Sequence, residues 1–145
     1  MVDAEDKIKL MNSLIREKAL IEKELERVFC PVSDDLDVVG NLYDVFVRAL
    51  EEVNPAADPT SKKSRKKFLF VAMFMFSPSA LAGSKLRFGL RDKLAEIIGT
   101  VKPTSLSHSI EGITFLYMNY KSFKKDVDHI LLRSIEWLER YTKKV

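Results

Sequence analysis

The stretch from Gly89 to Ile130 constrains the fold of this chain more than any other. Leu90, Leu94, Ile97 and Ile98 recur at three- and four-residue spacing, which gathers them on one face of a short helix. Gly99 follows where the chain must turn left-handed, a conformation glycine takes at little steric cost. After Thr100, Val101 and Lys102 comes Pro103. It suits the first position of a new helix, where its missing N–H has no intrahelical partner and its φ is already helical. The spacing predicts a second helix from Pro103 to about Tyr117, burying Leu106, Ile110, Ile113 and Leu116 or Tyr117. Thr104, Ser105, Ser107, His108 and Glu111 then lie elsewhere on its surface. This is the pattern of a helix-turn-helix, in which small hydroxyl residues on the first exposed turn approach phosphates and base edges closely.

The remainder reads as further helices. From about Ala4 to Phe29, Met11, Leu14, Ile21, Leu25 and Val28 stand near heptad spacing, with Lys18 interrupting the seam. That helix either packs on its own domain or pairs residues 4–29 of two copies as a short coiled coil. Ser33 or Asp35 suits the cap of a second helix, whose stripe is Leu36, Val39, Leu42 or Tyr43, Phe46, Leu50 and Val53. The prolines of Asn54-Pro-Ala-Ala-Asp-Pro-Thr break it and mark a boundary or hinge. Lys62, Lys63, Arg65, Lys66 and Lys67 then form a basic arm leading into the apolar run Phe68 to Phe76. That run is far shorter than a membrane-spanning helix requires, so it is expected to be a fully buried helix. Phe68, Phe70, Phe74 and Phe76 are its core stripe. A glycine-bounded loop carries Lys85 and Arg87, Asn119 to Ser122 make a turn, and a last helix runs from about Phe123 to Tyr141. The expected fold is all-α: an N-terminal helical hairpin over residues 1–61, followed by a helix-turn-helix bundle over residues 62–145.

Charge divides at the same place. Residues 1–61 hold 7 Lys or Arg against 14 Asp or Glu, a net of −7, whereas residues 62–145 hold 17 against 7, a net of +10. A basic excess that coincides with the motif is the electrostatic footprint of a nucleic-acid-binding domain. Other functions lack their residues. Cys30 is the single cysteine, unable to form an internal disulfide and suited to a reducing cytosol, and with His108 and His129 it makes no metal-ligand set. The start Met-Val-Asp-Ala-Glu-Asp is too acidic for a signal peptide. No glycine-rich Lys-Ser/Thr loop for a nucleotide and no nucleophile elbow occurs. Asp126 and Asp128, two apart on a helix, point in different directions and suit neither a metal clamp nor an acid–base pair. The expectation is a cytoplasmic, non-enzymatic protein with no cofactor, metal, nucleotide or membrane partner.

From Lys93 to about Ile130 the chain also resembles the C-terminal DNA-binding domain of the bacterial replication initiator DnaA, a variant of the Trp-repressor helix-turn-helix. In that family a glycine closes the first helix and an Asp-His-Thr-Thr-Val-Leu-His signature opens the recognition helix. Here Gly99 is followed by Lys102, Pro103, Thr104, Ser105, Leu106, Ser107 and His108 at matching steps. Lys124, Lys125, Asp126 and Ile130 match a pattern in the family's last helix. Arg65 and the run Phe68 to Phe76 resemble the Arg-Gln-x-Ala-Met-x-Leu helix that begins the family's domain, with extra residues around Ser79 to Phe88 in between. Lys102 and Pro103 replace the Asp-His pair that reads bases, and the initiator's ATPase domain has no counterpart. Small regulators of phages and mobile elements carry such a module on other partners.

The resemblance implies that Thr104, Ser105, Ser107 and His108 face DNA and that Arg65 enters the minor groove. On the residues alone, His108 faces DNA or is a half-buried hydrogen-bonding histidine. Thr104 and Ser105 cap the helix, contact phosphate, or both, and Lys102 is a cation at the same positive end. Lys85 and Arg87 form a wing over the backbone or solvate a connection; Lys121, Lys124 and Lys125 touch phosphate or are surface lysines. Double-stranded DNA is the expected partner of a regulator or of a replication or transfer accessory factor. The competing reading is a structural or protein-interaction component, for example of a phage virion, that reuses the helix-turn-helix core for packing.

Overall fold

A computed structural model describes residues 3–28, 30–83, 85–99, 106 and 110–143. Every element among them is helical. The chain forms two compact units, Met1–Cys30 and Pro31–Val145. The first is a single helix, α1 (Ala4–Val28), opened by the Asp3 carboxylate, which accepts the Asp6 N–H at 2.8 Å. The acidic first turn and Arg27 in the last complement the helix dipole. Ion pairs run along its surface, Lys9 to Glu5, Lys18 to Glu22 and Arg27 to Glu24. No residue of α1 is buried, although Ile8, Met11, Leu14, Ile15, Ile21, Leu25 and Val28 share one broad face.

The second unit contains α2 (Val39–Val53), α3 (Lys62–Phe76), α4 (Leu90–Ile98), α5 (Ile113–Asn119) and α6 (Lys121–Lys143), with short 3-10 helices at Leu36–Val38 and Pro78–Ala82. Local signals set most of the boundaries. The Asp35 carboxylate accepts the Asp37 N–H at 3.0 Å, and the Ser61 hydroxyl accepts the Ser64 N–H at 3.2 Å. Gly99 ends α4 at φ 74°, as its sequence predicts. Val32 and Ser33 donate to the Met75 carbonyl at 2.8 and 3.2 Å, which fastens the start of the unit to the last turn of α3.

Helix α3 lies at the centre and packs against α2, α4, α5 and α6. Phe68, Leu69, Phe70, Val71, Ala72, Met75 and Phe76 are all buried, as expected of a helix apolar on every side. Phe74, expected in the core, is instead 37% exposed. Phe46 and Tyr43 of α2 meet Phe68 with ring centroids 5.3 and 5.1 Å apart, and Phe70 stacks on Tyr117 at 4.5 Å. Each fully buried Phe or Leu contributes about 1.5–3 kcal/mol through loss of apolar surface from water.

Three expectations are corrected. First, α2 belongs to the second unit, where its most extensive packing is on α6, so the units divide at Cys30–Pro31 rather than after residue 61. The proline segment is a tight connection: Ala57 N–H donates to the Asn54 carbonyl at 3.0 Å and Ser61 N–H to the Asp58 carbonyl at 3.1 Å. Secondly, the helix expected from Pro103 to Tyr117 is interrupted at Gly112. Its φ of 80° cannot continue a right-handed helix, and α5 begins afresh at Ile113. The Thr114 hydroxyl then donates to the Leu81 carbonyl at 2.7 Å. Thirdly, Lys67 is no part of a basic arm. Its ammonium is buried against Asp126 at 2.6 Å.

Candidate nucleic-acid interface

Folding brings the acidic residues of 31–61 against the basic remainder of the same unit. Asp34 holds Arg87, its carbonyl accepting from Nη2 at 2.7 Å and its carboxylate lying 3.7 Å from Nη1. Asp37 lies 3.6 Å from Lys93, and Glu52 meets both His129 and Arg133 at 3.1 Å. The His129 hydrogen bond, with Arg133 adding attraction, holds the Glu52 carboxyl below its usual range. Asp58 is also lowered, chiefly by the Thr60 hydroxyl and N–H that donate to it at 2.7 and 2.9 Å, with a smaller contribution from Arg65. Lys124 pairs with Asp128 at 3.3 Å and lies 5.1 Å from the Tyr117 ring centre. Tyr117 donates to the same carboxylate at 2.6 Å, which raises its pKa, and Asp128 raises that of Lys124.

Compensation is therefore uneven. Among the described residues, the ion pairs of this unit use Lys67, Arg87, Lys93, Lys124, His129, Arg133 and Arg140. They leave out Arg48, Lys62, Lys63, Arg65, Lys66, Lys85, Arg91, Lys121 and Lys125. Three of these lysines line one cleft: Lys62, Lys63 and Lys66 from the first turns of α3 face Tyr120, Ser122 and Phe123 where α6 begins, with Leu116 of α5 beside them. The floor is apolar, since Phe123 is buried, and Tyr120 is half exposed with its ring edge-on to Phe115 at 6.4 Å. Lys121 stands exposed between Tyr120 and Ser122 in the chain. Two helix N-termini and a lysine rim form a surface of one sign, suited to a polyanion.

The sequence-predicted residues distribute differently around this cleft. Lys121 is exposed beside it. Arg65 is half-buried on the α3 turn that carries the lysines and feels Asp58. Lys85 is exposed in its loop without an ion pair among the described residues, whereas Arg87 is drawn inward: its guanidinium holds Asp34 and its N–H donates to the Ser77 hydroxyl at 3.0 Å. Lys124 is engaged by Asp128 and Tyr117. Lys102, Thr104, Ser105, Ser107 and His108 lie outside the described residues. The reading of the chain missed Lys62, Lys63 and Lys66 as a separate face, together with Tyr120 and Ser122. Helical periodicity within the cation run places Lys62 with Lys66 but also Lys63 with Lys67, so it does not by itself separate the cleft lysines from the buried one.

Among the described residues, no group of three or more side chains could hold a metal ion, and no helix is long and apolar enough to cross a membrane. The chain matches no protein-family model, and comparison with curated proteins and with solved structures found no similar protein.

Proposed function

We propose that this protein binds double-stranded DNA through its second unit, as a regulator or as a replication or transfer accessory factor without catalytic activity. The observation that carries the reading is the uneven compensation of charge. The acidic segment neutralises Arg87, Lys93 and Arg133, while Lys62, Lys63, Lys66 and Lys121 around the starts of α3 and α6 have no carboxylate partner among the described residues. In this reading those lysines grip the phosphate backbone, and the turn that begins at Gly99 presents the DnaA-like, Trp-repressor-like second helix to the groove. The apolar face of α1 joins two copies, so that one dimer engages two sites on the duplex.

The test is a duplex-binding titration over a range of salt concentrations. Replacing Lys63 and Lys66 with alanine is expected to weaken binding to every sequence and to reduce the slope of log affinity against log salt by about two. No duplex binding at low salt by the intact protein would overturn the proposal. A protein-interaction role is the second reading, and Phe115 and Met118 favour it, being 61% and 70% exposed on α5 next to the cleft. Under that reading a Phe115→Ser, Met118→Ser variant loses its partner while the lysine variant keeps it.

A further inference from the structure

A second cleft, of about 420 Å³, lies between α2 and α6. Glu52, late in α2, meets His129 and Arg133 of α6 at 3.1 Å, and Arg48, one turn earlier in α2, lines the same cleft. Arg48 and Glu52 line it from α2, and Arg133, Trp137, Arg140 and Tyr141 from α6. Trp137 and Tyr141 place their rings 5.4 Å apart with planes 31° from parallel, an aromatic pair on the α6 wall of the cleft.

The arginines beside that wall are only partly engaged. Arg133 donates from Nε to Glu52 at 3.1 Å and from Nη1 to Glu136 at 3.2 Å. Arg140 lies 3.7 Å from Glu136, and Arg48 donates from Nε to the Asp44 carbonyl at 3.4 Å, with no carboxylate partner. Three guanidiniums thus face two carboxylates, which leaves one positive charge in excess and unused N–H groups on each fork. A guanidinium fork matches the geometry of phosphate oxygens, and an aromatic wall matches the face of a base. A simple anion would leave the wall uncovered, and an apolar ligand would bury the arginines without partners.

We propose that this cleft binds a nucleotide unit, its base on Trp137 and Tyr141 and its phosphate on Arg48 and Arg140. The unit is either a free mononucleotide or one residue of a single strand, since both present the same chemistry. The site lacks the glycine-rich loop by which a sequence advertises nucleotide binding. None of its residues lies in the lysine cleft, so it stands or falls apart from the duplex reading.

Trp137 is the only tryptophan of the chain, so its emission reports on this cleft alone. The full-length protein is titrated with thymidine monophosphate, single-stranded oligothymidylate, a DNA duplex and inorganic phosphate, with free tryptophan as the optical control. Saturable quenching by the mononucleotide and the single strand, and none by inorganic phosphate, is the expected result. Quenching by oligothymidylate alone assigns the site to a strand. Arg48→Ala, at an exposed position, is expected to fold normally and to weaken the quenching ligand about tenfold. Arg140→Ala gives an independent second variant. Absence of quenching by both mononucleotide and single strand overturns the proposal, as does quenching by duplex only. Equal affinity in the wild type and both arginine variants does the same.

Discussion

The buried pair of Lys67 and Asp126 is where a single side chain matters most. At 2.6 Å, with side chains 3% and 10% exposed, each charge depends on the other for what water no longer supplies. Asp126→Asn leaves an ammonium without a counter-charge and is expected to cost about 3–5 kcal/mol in urea denaturation. Replacing both residues with apolar ones of similar volume, Lys67→Met with Asp126→Leu, is expected to restore most of that stability, because the desolvation of both charges disappears together. The chain announced neither role. Lys67 reads as one more cation in a run, and Asp126 as one of two isolated carboxylates, because burial is decided by a helix 59 residues away in sequence.

Local chemistry made several elements legible. Asp35 and Gly99 act as caps where their types and positions suggest, whereas the Ser61 cap of α3 went unread, and the apolar run of α3 is buried at every position but Phe74. The destination of α2 was not legible, since its stripe of Val39, Leu42, Phe46 and Leu50 records only that a partner exists. Gly112 was overlooked for a different reason: apolar spacing continues across it from Ile110 to Ile113, while the backbone reverses hand. Two glycines of the second unit therefore respond oppositely to alanine. Gly112→Ala meets no neighbouring atom within 4 Å but must hold φ near +80°, so a loss of about 1–2 kcal/mol in thermal unfolding is expected from backbone strain. Gly40→Ala, also unobstructed and within α2, is expected to stabilise by about 0.5–1 kcal/mol.

For the whole molecule, the division of charge along the chain is not a division of the fold. The segment 31–61 supplies the carboxylates that pair with Arg87, Lys93 and Arg133 and the apolar residues that cover Phe68. A fragment of residues 31–145 is therefore expected to melt cooperatively near the temperature of the intact second unit, and one of residues 62–145 to lose that transition in circular dichroism. Light scattering on the same material tests the proposed role of α1, with the full chain expected as a dimer and residues 31–145 as a monomer. The basic composition of residues 62–145 was readable in advance, but which cations stay available was not. That depends on pairings between residues tens of positions apart.

The bonds from Val32 and Ser33 to the Met75 carbonyl, together with the grip of Arg87 on Asp34, also govern how the molecule carries mechanical load. Any pull transmitted along α1 arrives at the last turn of the central helix and at the loop before α4. These bonds bear it before the buried faces of α2 and α6 do. They form a latch at the rim of the second unit, which tension between copies joined through α1, as proposed above, is expected to open first while the core keeps its shape.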